Sequence, residues 1–420
     1  MSIGVFTNLN ASEVKITGSG TTLLILAPVV GGVVANSKTY KYNFSASDLS
    51  QIKSDFGSGA SESDTHDILK QLANLNANGV RYDNVYLGLF GCSSNYECSN
   101  LVSSYNTILR QLIRERGADF TNNIVICLPW CAGMDDGETA NDWISCLNDV
   151  TEEIDGYRAL YISDYIAPDG ALEDQTSCTV CATIYDGVLE DFSPNSDFTT
   201  GNEKLVLCIS QSDKLCGSLL ASLAYIANDN KFNHYPCRSI LNTAITAAAP
   251  YHVLVSRSTG VSEFEWSIYT SATESHNISA ESFAENYGLA CIAKRCDGDT
   301  PRIYALHTYH TGGVDAVYDY DNRLRVMYYL CNFAARNFAT TLGEPLTFSA
   351  QNAIKYAFDN EVAKAKAAGA LEGNAELVIN TTSDDMTNAR LVFSFAGTAV
   401  SPVATITFDL SYTNAGYLED

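Results

Sequence analysis

Basic residues are scarce in this chain. Lysine and arginine number 25 against 49 aspartates and glutamates, a net charge of −24 over 420 residues, so the surface field repels nucleic acid rather than gathering it. Long apolar runs are missing as well. The longest, Thr22 to Ala35 (TLLILAPVVGGVVA), is too short to cross a bilayer, and its Pro28 and Gly31-Gly32 suit a strand leading into a turn. No transmembrane helix and no direct membrane insertion are expected. The opening MSIGVFTNLNASEVK lacks the basic start, apolar centre and small-residue cleavage site of a secretory signal, which predicts a chain made and folded in a cytoplasm. There is no phosphate-binding Walker loop, no GxSxG and no HExxH, so neither nucleotide chemistry nor the commonest hydrolytic sites are signalled. Repeats at solenoid periods and low-complexity tracts are also lacking.

What remains is an ordinary globular composition. Hydrophobic residues make up 46% and charged residues 18%, and the length exceeds what one hydrophobic core usually fills, so two or more packed modules are expected. Thirteen cysteines sit oddly with a cytoplasmic origin.

Along the chain, residues 1–20 are short of large apolar side chains and end in Gly18-Ser19-Gly20, which reads as an arm. Strands are expected at Thr21–Val34, Val85–Phe90, Asn123–Leu128, Arg158–Ile166 and Lys204–Ile209. Helices are expected at Ser61–Gly79, Leu101–Arg116 and Asn141–Ile154. Apolar β-branched runs alternating with amphipathic helices predict an α/β layer with a largely parallel sheet. From about Leu215 the texture turns helical, and Ser279–Tyr287 reads as a short helix. From Arg302 onward a compact α+β module follows: strand, turn, long helix, second helix, then strands at Ala375–Ile379, Arg390–Phe395 and Val403–Leu410. In the last of these Ala404, Ile406, Phe408 and Leu410 alternate with Thr405, Thr407 and Asp409, as a half-buried strand requires.

The stretch RIYALHTYHTGGVDAVYDYDNRLRVMYYLCNF, Arg302 to Phe333, looks at first like a metal or catalytic site. On a strand, however, His307 and His310 point to opposite faces, so they cannot share an ion. Beyond the turn, Asp319 or Asp321 can cap a helix whose Leu324, Met327, Tyr328, Cys331, Ala334 and Phe338 form one stripe, so packing explains the segment better. Cys178 and Cys181 have the spacing of half a zinc site, but a second CxxC is missing. No metal, no cofactor and no catalytic residue is therefore expected. Cys127, Cys208 and Cys331, in apolar surroundings, read as small buried hydrophobes. Cys92, Cys98, Cys178, Cys181, Cys216, Cys237 and Cys296, in polar turn-rich surroundings, are candidates for disulfides formed once the protein meets oxidising conditions.

The order of pieces resembles the contractile tail sheath proteins of phages, in particular the compact Mu-like kind. The residues that carry the resemblance are Ser54-Asp55-Phe56-Gly57-Ser58-Gly59 before a helix, and the alanine-rich SLLASLAYIANDNKFNHYPCRSI with its Pro-containing link. They continue with the short helix Ser279–Tyr287, the turn Asp297-Gly298, and Ala305-Leu306-His307-Thr308-Tyr309 followed by Gly312-Gly313-Val314-Asp315. The Arg and first Thr of the family's R-x-I-T-T-Y strand are absent here. The resemblance implies an arm at 1–20, an outer α/β domain at 21–298, an inner α+β domain at 299–411 and a C-terminal arm at 412–420. It also implies that terminal strands are exchanged between subunits, with Ile3, Val5, Val14 and Ile16 at one end and Ile406, Phe408 and Leu410 at the other. The implied role is a helical polymer of the chain around a tail tube protein, in contact with baseplate and tail terminator proteins, assembled in the host cytoplasm and carried on the virion. Its contraction would drive the tube through a host envelope, without enzymatic activity. Two other readings stay open at this point: a different virion or surface-layer structural protein, and a Cys-dependent intracellular enzyme.

Overall fold

The structure, a computed structural model, describes residues 20–30, 37–42, 46–56, 84–92, 98–128, 146–147, 149–150, 157–166, 205–210, 289–293, 302–304, 321–338, 347–388 and 390–400. Its elements are β1 (Thr21–Val30), β2 (Lys38–Tyr42), α1 (Ala46–Phe56), β3 (Asn84–Cys92), α2 (Cys98–Arg116), β4 (Asn123–Leu128), β5 (Leu160–Ile166), β6 (Leu205–Ser210), β7 (Leu289–Ala293) and β8 (Arg302–Tyr304), followed by α3 (Asp321–Phe338), α4 (Phe348–Ala367), β9 (Leu371–Ile379), a short α5 (Ser383–Thr387) and β10 (Phe393–Ala399).

β1 to β8 form one sheet in the order β2-β3-β1-β4-β5-β6-β7-β8. The pairs from β3 through β7 are parallel, and antiparallel β2 and β8 close the two edges. Parallel strands need crossovers, which cover both faces, so the central strands must be apolar throughout rather than alternating. β1 and β4 obey this: every residue from Thr21 to Pro28 and from Asn123 to Leu128 is buried. That is why the run TLLILAP could be read as strand and not as membrane span. Polar groups at the start of these strands are satisfied among themselves, with Asn123 Nδ2 donating to Thr21 Oγ1 at 2.7 Å and the Thr121 amide donating to Thr22 Oγ1 at 2.8 Å.

α2 lies on this sheet through Leu101, Tyr105, Ile108, Leu109 and Leu112, all buried and spaced at three- and four-residue steps. Gly88 of β3 makes the approach possible: a Cβ there would stand 2.8 Å from Leu26 Cδ2 and 2.9 Å from Ile108 Cγ1. At the far edge β8 pairs with β7, Arg302 to Tyr304 lying opposite Ala293 to Cys291.

A second, two-stranded antiparallel sheet is made by β9 and β10. It packs with α3 and α4 around Val326, Leu330, Phe358, Val362, Leu371 and Leu377, against which the rings of Phe333, Phe393 and Phe395 lie. The turn into this hairpin is set locally. α4 starts at Thr347, whose hydroxyl accepts from the Ala350 amide at 3.1 Å. It ends in a Schellman motif, with Gly369 at φ +76° and the Ala370 and Gly369 amides donating to the Ala365 and Lys366 carbonyls at 2.8 and 3.0 Å. Ala365 and Ala370 are both buried, so the helix stop and the strand start belong to one core.

The chain observed is thus a mixed α/β structure with parallel and antiparallel strands. The strands expected at Asn123–Leu128, Val85–Phe90 and Arg158–Ile166 are present to within a few residues. Of the stripe expected on α3, Leu324 is buried and Ala334 and Phe338 pack against the hairpin core, but Cys331 is exposed, and Val326, Leu330 and Asn332, outside that stripe, are buried. The helix turns different residues inward because it is held on two sides, by the hairpin core and by the main sheet.

Candidate assembly interface

The hairpin β9–β10 presents three different surfaces. Its inner face carries Leu371, Ala375 and Leu377 from β9 and Phe393, Phe395 and Ala399 from β10 onto α3 and α4. Its outer face shows Glu372, Glu376 and Val378 beside Ser394, Ala396 and Thr398, all exposed. Its two long edges are the third surface, and among the described residues each strand has only the other as a strand neighbour. Unpaired edges are the feature a sheet must either protect or use.

The pairing register fixes which backbone groups face outward. Ile379 lies opposite Phe393, Val378 opposite Ser394, Leu377 opposite Phe395 and Glu376 opposite Ala396, while the Asn380 amide donates to the Val392 carbonyl at 2.9 Å. In an antiparallel pair, bonded and non-bonded positions alternate. Val378, Glu376, Ser394 and Ala396 therefore spend their amides and carbonyls inside the hairpin, and Leu377, Ile379, Phe393 and Phe395 turn theirs to the edges. The register then shifts between Ala396 and Thr398. Three β9 residues, Gly373, Asn374 and Ala375, stand opposite Gly397, and Gly373 takes φ +66°. The irregularity lies on β9, and β10 runs on without inserted residues.

On the β9 edge sits Lys355 from α4. Its Nζ donates to the outward carbonyl of Leu377 at 2.6 Å and lies 3.0 Å from Glu376 Oε1 and 3.2 Å from Asp359 Oδ2. The Glu376 carboxylate, then Asp359, hold the ammonium above its usual lysine range.

The hairpin core is fastened to the eight-stranded sheet by α3. Asn332, 1% exposed, accepts from the Arg158 amide at 2.6 Å and donates to the Arg158 and Asn122 carbonyls at 2.7 and 2.9 Å. One turn on, Arg336 donates to the Phe120 carbonyl and, at 3.1 Å, to the Ala118 carbonyl. Toward the hairpin, the Tyr329 hydroxyl donates to buried Glu361 at 2.5 Å, which also takes the Lys364 ammonium at 2.9 Å. One helix therefore bridges the leads into β4 and β5 with the hairpin module.

At the tip of the hairpin, Thr382 and Asp385 form a capping box: the Asp385 carboxylate accepts from the Thr382 amide at 3.0 Å and hydroxyl at 2.7 Å, and meets Arg390 Nε at 3.0 Å. Thr382 first, then Arg390, holds this carboxyl below its usual range.

The residues expected to exchange between subunits, Ile3, Val5, Val14, Ile16, Ile406, Phe408 and Leu410, lie outside the described residues, as do Cys178, Cys181, Cys216, Cys237, Cys296, His307 and His310. Cys92 ends β3 and Cys98 begins α2. Among the described residues no cluster of His, Cys, Asp and Glu is placed to hold a metal ion, and no helix is long and apolar enough to cross a membrane. Lys355, Asn332 and Arg336 went unnoticed in the sequence. The i,i+4 pair Lys355–Asp359 was visible there, but nothing showed that it stood beside a strand edge.

No protein-family model matches the chain, and no curated protein matches it in sequence. Solved structures do match its fold. A chain in the 6-fold symmetrised baseplate of the anti-feeding prophage aligns with a TM-score of 0.58 at 12% identity, covering 94% of each chain. A chain of the sheath complex of an extracellular contractile injection system, PVC, in its contracted state aligns at 0.53 and 11% identity, over 93% of this chain and 92% of that one. The anti-feeding prophage baseplate in its contracted state gives 0.53 at 12% identity over 94% of both. The chain is thus similar in fold, almost end to end, to chains of contractile injection systems.

Proposed function

We propose that this chain is the structural subunit of a contractile sheath, on a phage tail or a phage-like injection particle, and that it acts mechanically rather than as an enzyme. The observation that carries the reading is the near end-to-end likeness to chains in contractile injection assemblies. In this reading copies of the chain assemble head to tail into an open helix, because a repeated contact whose rotation does not close gives a filament rather than a ring. The helix wraps a tube protein, meets a baseplate at one end and a terminator at the other, and shortens while its subunits stay tied together. The compact Mu-like phage sheath remains the specific family we favour within that class.

The ties are terminal strands. Residues 1–18, with Ile3, Val5, Val14 and Ile16, and the segment Val403–Leu410, with Ile406, Phe408 and Leu410, complete hairpin sheets of neighbouring copies by β-augmentation. An open edge of the hairpin sheet is what such a strand would bind, and the α3 bridge would let the two sheets of a subunit move as one body while the arms bend. Shortening needs no nucleotide: about 100 Å² of extra apolar burial per subunit, at about 25 cal/mol/Å², releases about 2.5 kcal/mol, repeated over many subunits.

Deleting residues 1–18 tests the ties. The truncated chain should stay folded and soluble by circular dichroism and gel filtration yet fail to form tubes under conditions where the full chain does. Normal tubes from the truncation would contradict the arm assignment.

A further inference from the structure

Lys355 starts on one side of the hairpin sheet and ends on the other. Its helix, α4, packs on the inner face through Phe358, Val362 and Ala365. The side chain then passes the edge of β9. Its Nζ donates to the outward carbonyl of Leu377 at 2.6 Å and reaches Glu376 Oε1, on the exposed outer face, at 3.0 Å, while Asp359 Oδ2 holds it from the helix at 3.2 Å. An ammonium has three donors, and here they meet three acceptors. The edge is thereby wrapped from face to face.

The part of β9 so covered is the part that another strand could pair with. Around Gly373, at φ +66°, the extra residues opposite Gly397 break the regular spacing, which leaves Leu377 and Ile379 as the regular outward positions. Exposed apolar side chains flank them. Val378, 47% exposed, stands between the two on the outer face, and Phe348, 75% exposed, lies seven residues before Lys355, two turns back on the same side of α4. A short open edge with apolar residues along it is the kind of surface through which identical sheets join edge to edge, and a lysine placed on it is a known way of preventing that.

We infer that Lys355 is an autoinhibitory contact: it keeps two copies of the chain from pairing β9 to β9 about a two-fold axis. In such a pair, centred on Val378, Leu377 of each copy stands opposite Ile379 of the other, and their outward groups face each other as bonded pairs. Each pair exchanges two hydrogen bonds, one of which needs a Leu377 carbonyl that Lys355 already occupies. The two ammonium groups also meet at one seam, where like charges repel. The contact so prevented is isologous and closed. It would hold subunits as dimers whatever larger assembly the chain belongs to, so the inference does not rest on the sheath reading.

Sedimentation velocity on the full-length chain in dilute solution tests this. Wild type should run as a monomer, Lys355→Met as a monomer–dimer equilibrium that shifts with concentration, and Lys355→Arg as a monomer again, because the guanidinium keeps both charge and donors. Residue-resolved amide exchange locates the contact. In the Lys355→Met dimer the Leu377 and Ile379 amides should slow by at least about tenfold against wild type, while Glu376 and Val378, bonded within the hairpin, keep their protection and show that it is intact. Adding Val378→Lys to Lys355→Met puts a charge back on the same seam and should return the monomer. Lys355→Leu is the second removal, to be read in the same way if the methionine variant loses the hairpin bonds. Monomers at every concentration with the hairpin intact would overturn the inference, as would a dimer that leaves Leu377 and Ile379 unprotected or persists with Val378→Lys. Loss of the Glu376 and Val378 protection in both removals would make Lys355 a prop of the hairpin and overturn it too. Failure of the chain to form tubes would bear on the sheath reading and leave this result untouched.

Discussion

At the scale of single residues, the polar groups that matter are the ones that answer a specific backbone demand. Asn332 meets three main-chain groups of the leads into β4 and β5, and a buried amide or carbonyl left without a partner costs about 1–3 kcal/mol. Asn332→Ala should therefore lower stability by about 3 kcal/mol, read as a lower urea midpoint with an unchanged slope. Asp385 makes a different case, because its folded carboxyl titrates below the unfolded one. Its contribution is fully present above the unfolded value, about 3.9, and is lost as pH falls through the lower folded value. The hairpin tip should thus hold its amide protection at Met386 and Asn388 from neutral pH down to about 4 and lose it below that. Asp385→Asn should lower that protection at neutral pH and flatten its pH dependence; an identical profile in the variant would remove the carboxylate from the argument.

Elements place these residues, and packing between elements decides how far they were legible. β3 and α2 touch through Gly88, so Gly88→Ala must push Leu26 and Ile108 from close contacts of 2.8 and 2.9 Å. Overpacking of this kind costs about 1–3 kcal/mol, and the shift in thermal midpoint should follow; a neutral variant would mean that both side chains relax freely. β1, β3, β4 and β5 could be read directly because strands buried on both faces write continuous apolar runs, as Thr22–Ala27 and Asn123–Leu128 do. α3 could be located but not oriented. Its apolar residues surround the helix, so the sequence offered a stripe through Met327, Tyr328 and Cys331, whereas the folded helix faces the sheet with Asn332 and Arg336 and the hairpin with Val326 and Leu330. Asn332 and Arg336 carried no signal because their partners, at Ala118 to Arg158, lie far away in sequence. For the same reason Lys355 went unnoticed: that it stands on a strand edge depends on the path of α4 over β9. β10 was placed a few residues early, since Arg390–Val392 bond to the turn around Thr381 and Asp385 before the ladder of β10 begins.

In the whole molecule a parallel sheet is joined to a small hairpin module through one bridging helix, and the proposed function gives the chain ends the task of connecting copies. Under the proposed function, a net charge of −24 would keep the particle dispersed and off nucleic acid, and association would depend on backbone pairing and apolar contacts rather than on charge attraction between copies. Electrostatic repulsion between copies predicts that assembly is favoured by salt, within the range where screening acts over about 10 Å. The measurement that tests the central claim most directly is electron microscopy of the purified full-length chain alone, concentrated in moderate salt. The account predicts hollow helical tubes with a regular subunit repeat; a uniform population of monomers or closed small rings at every concentration and salt condition would contradict it.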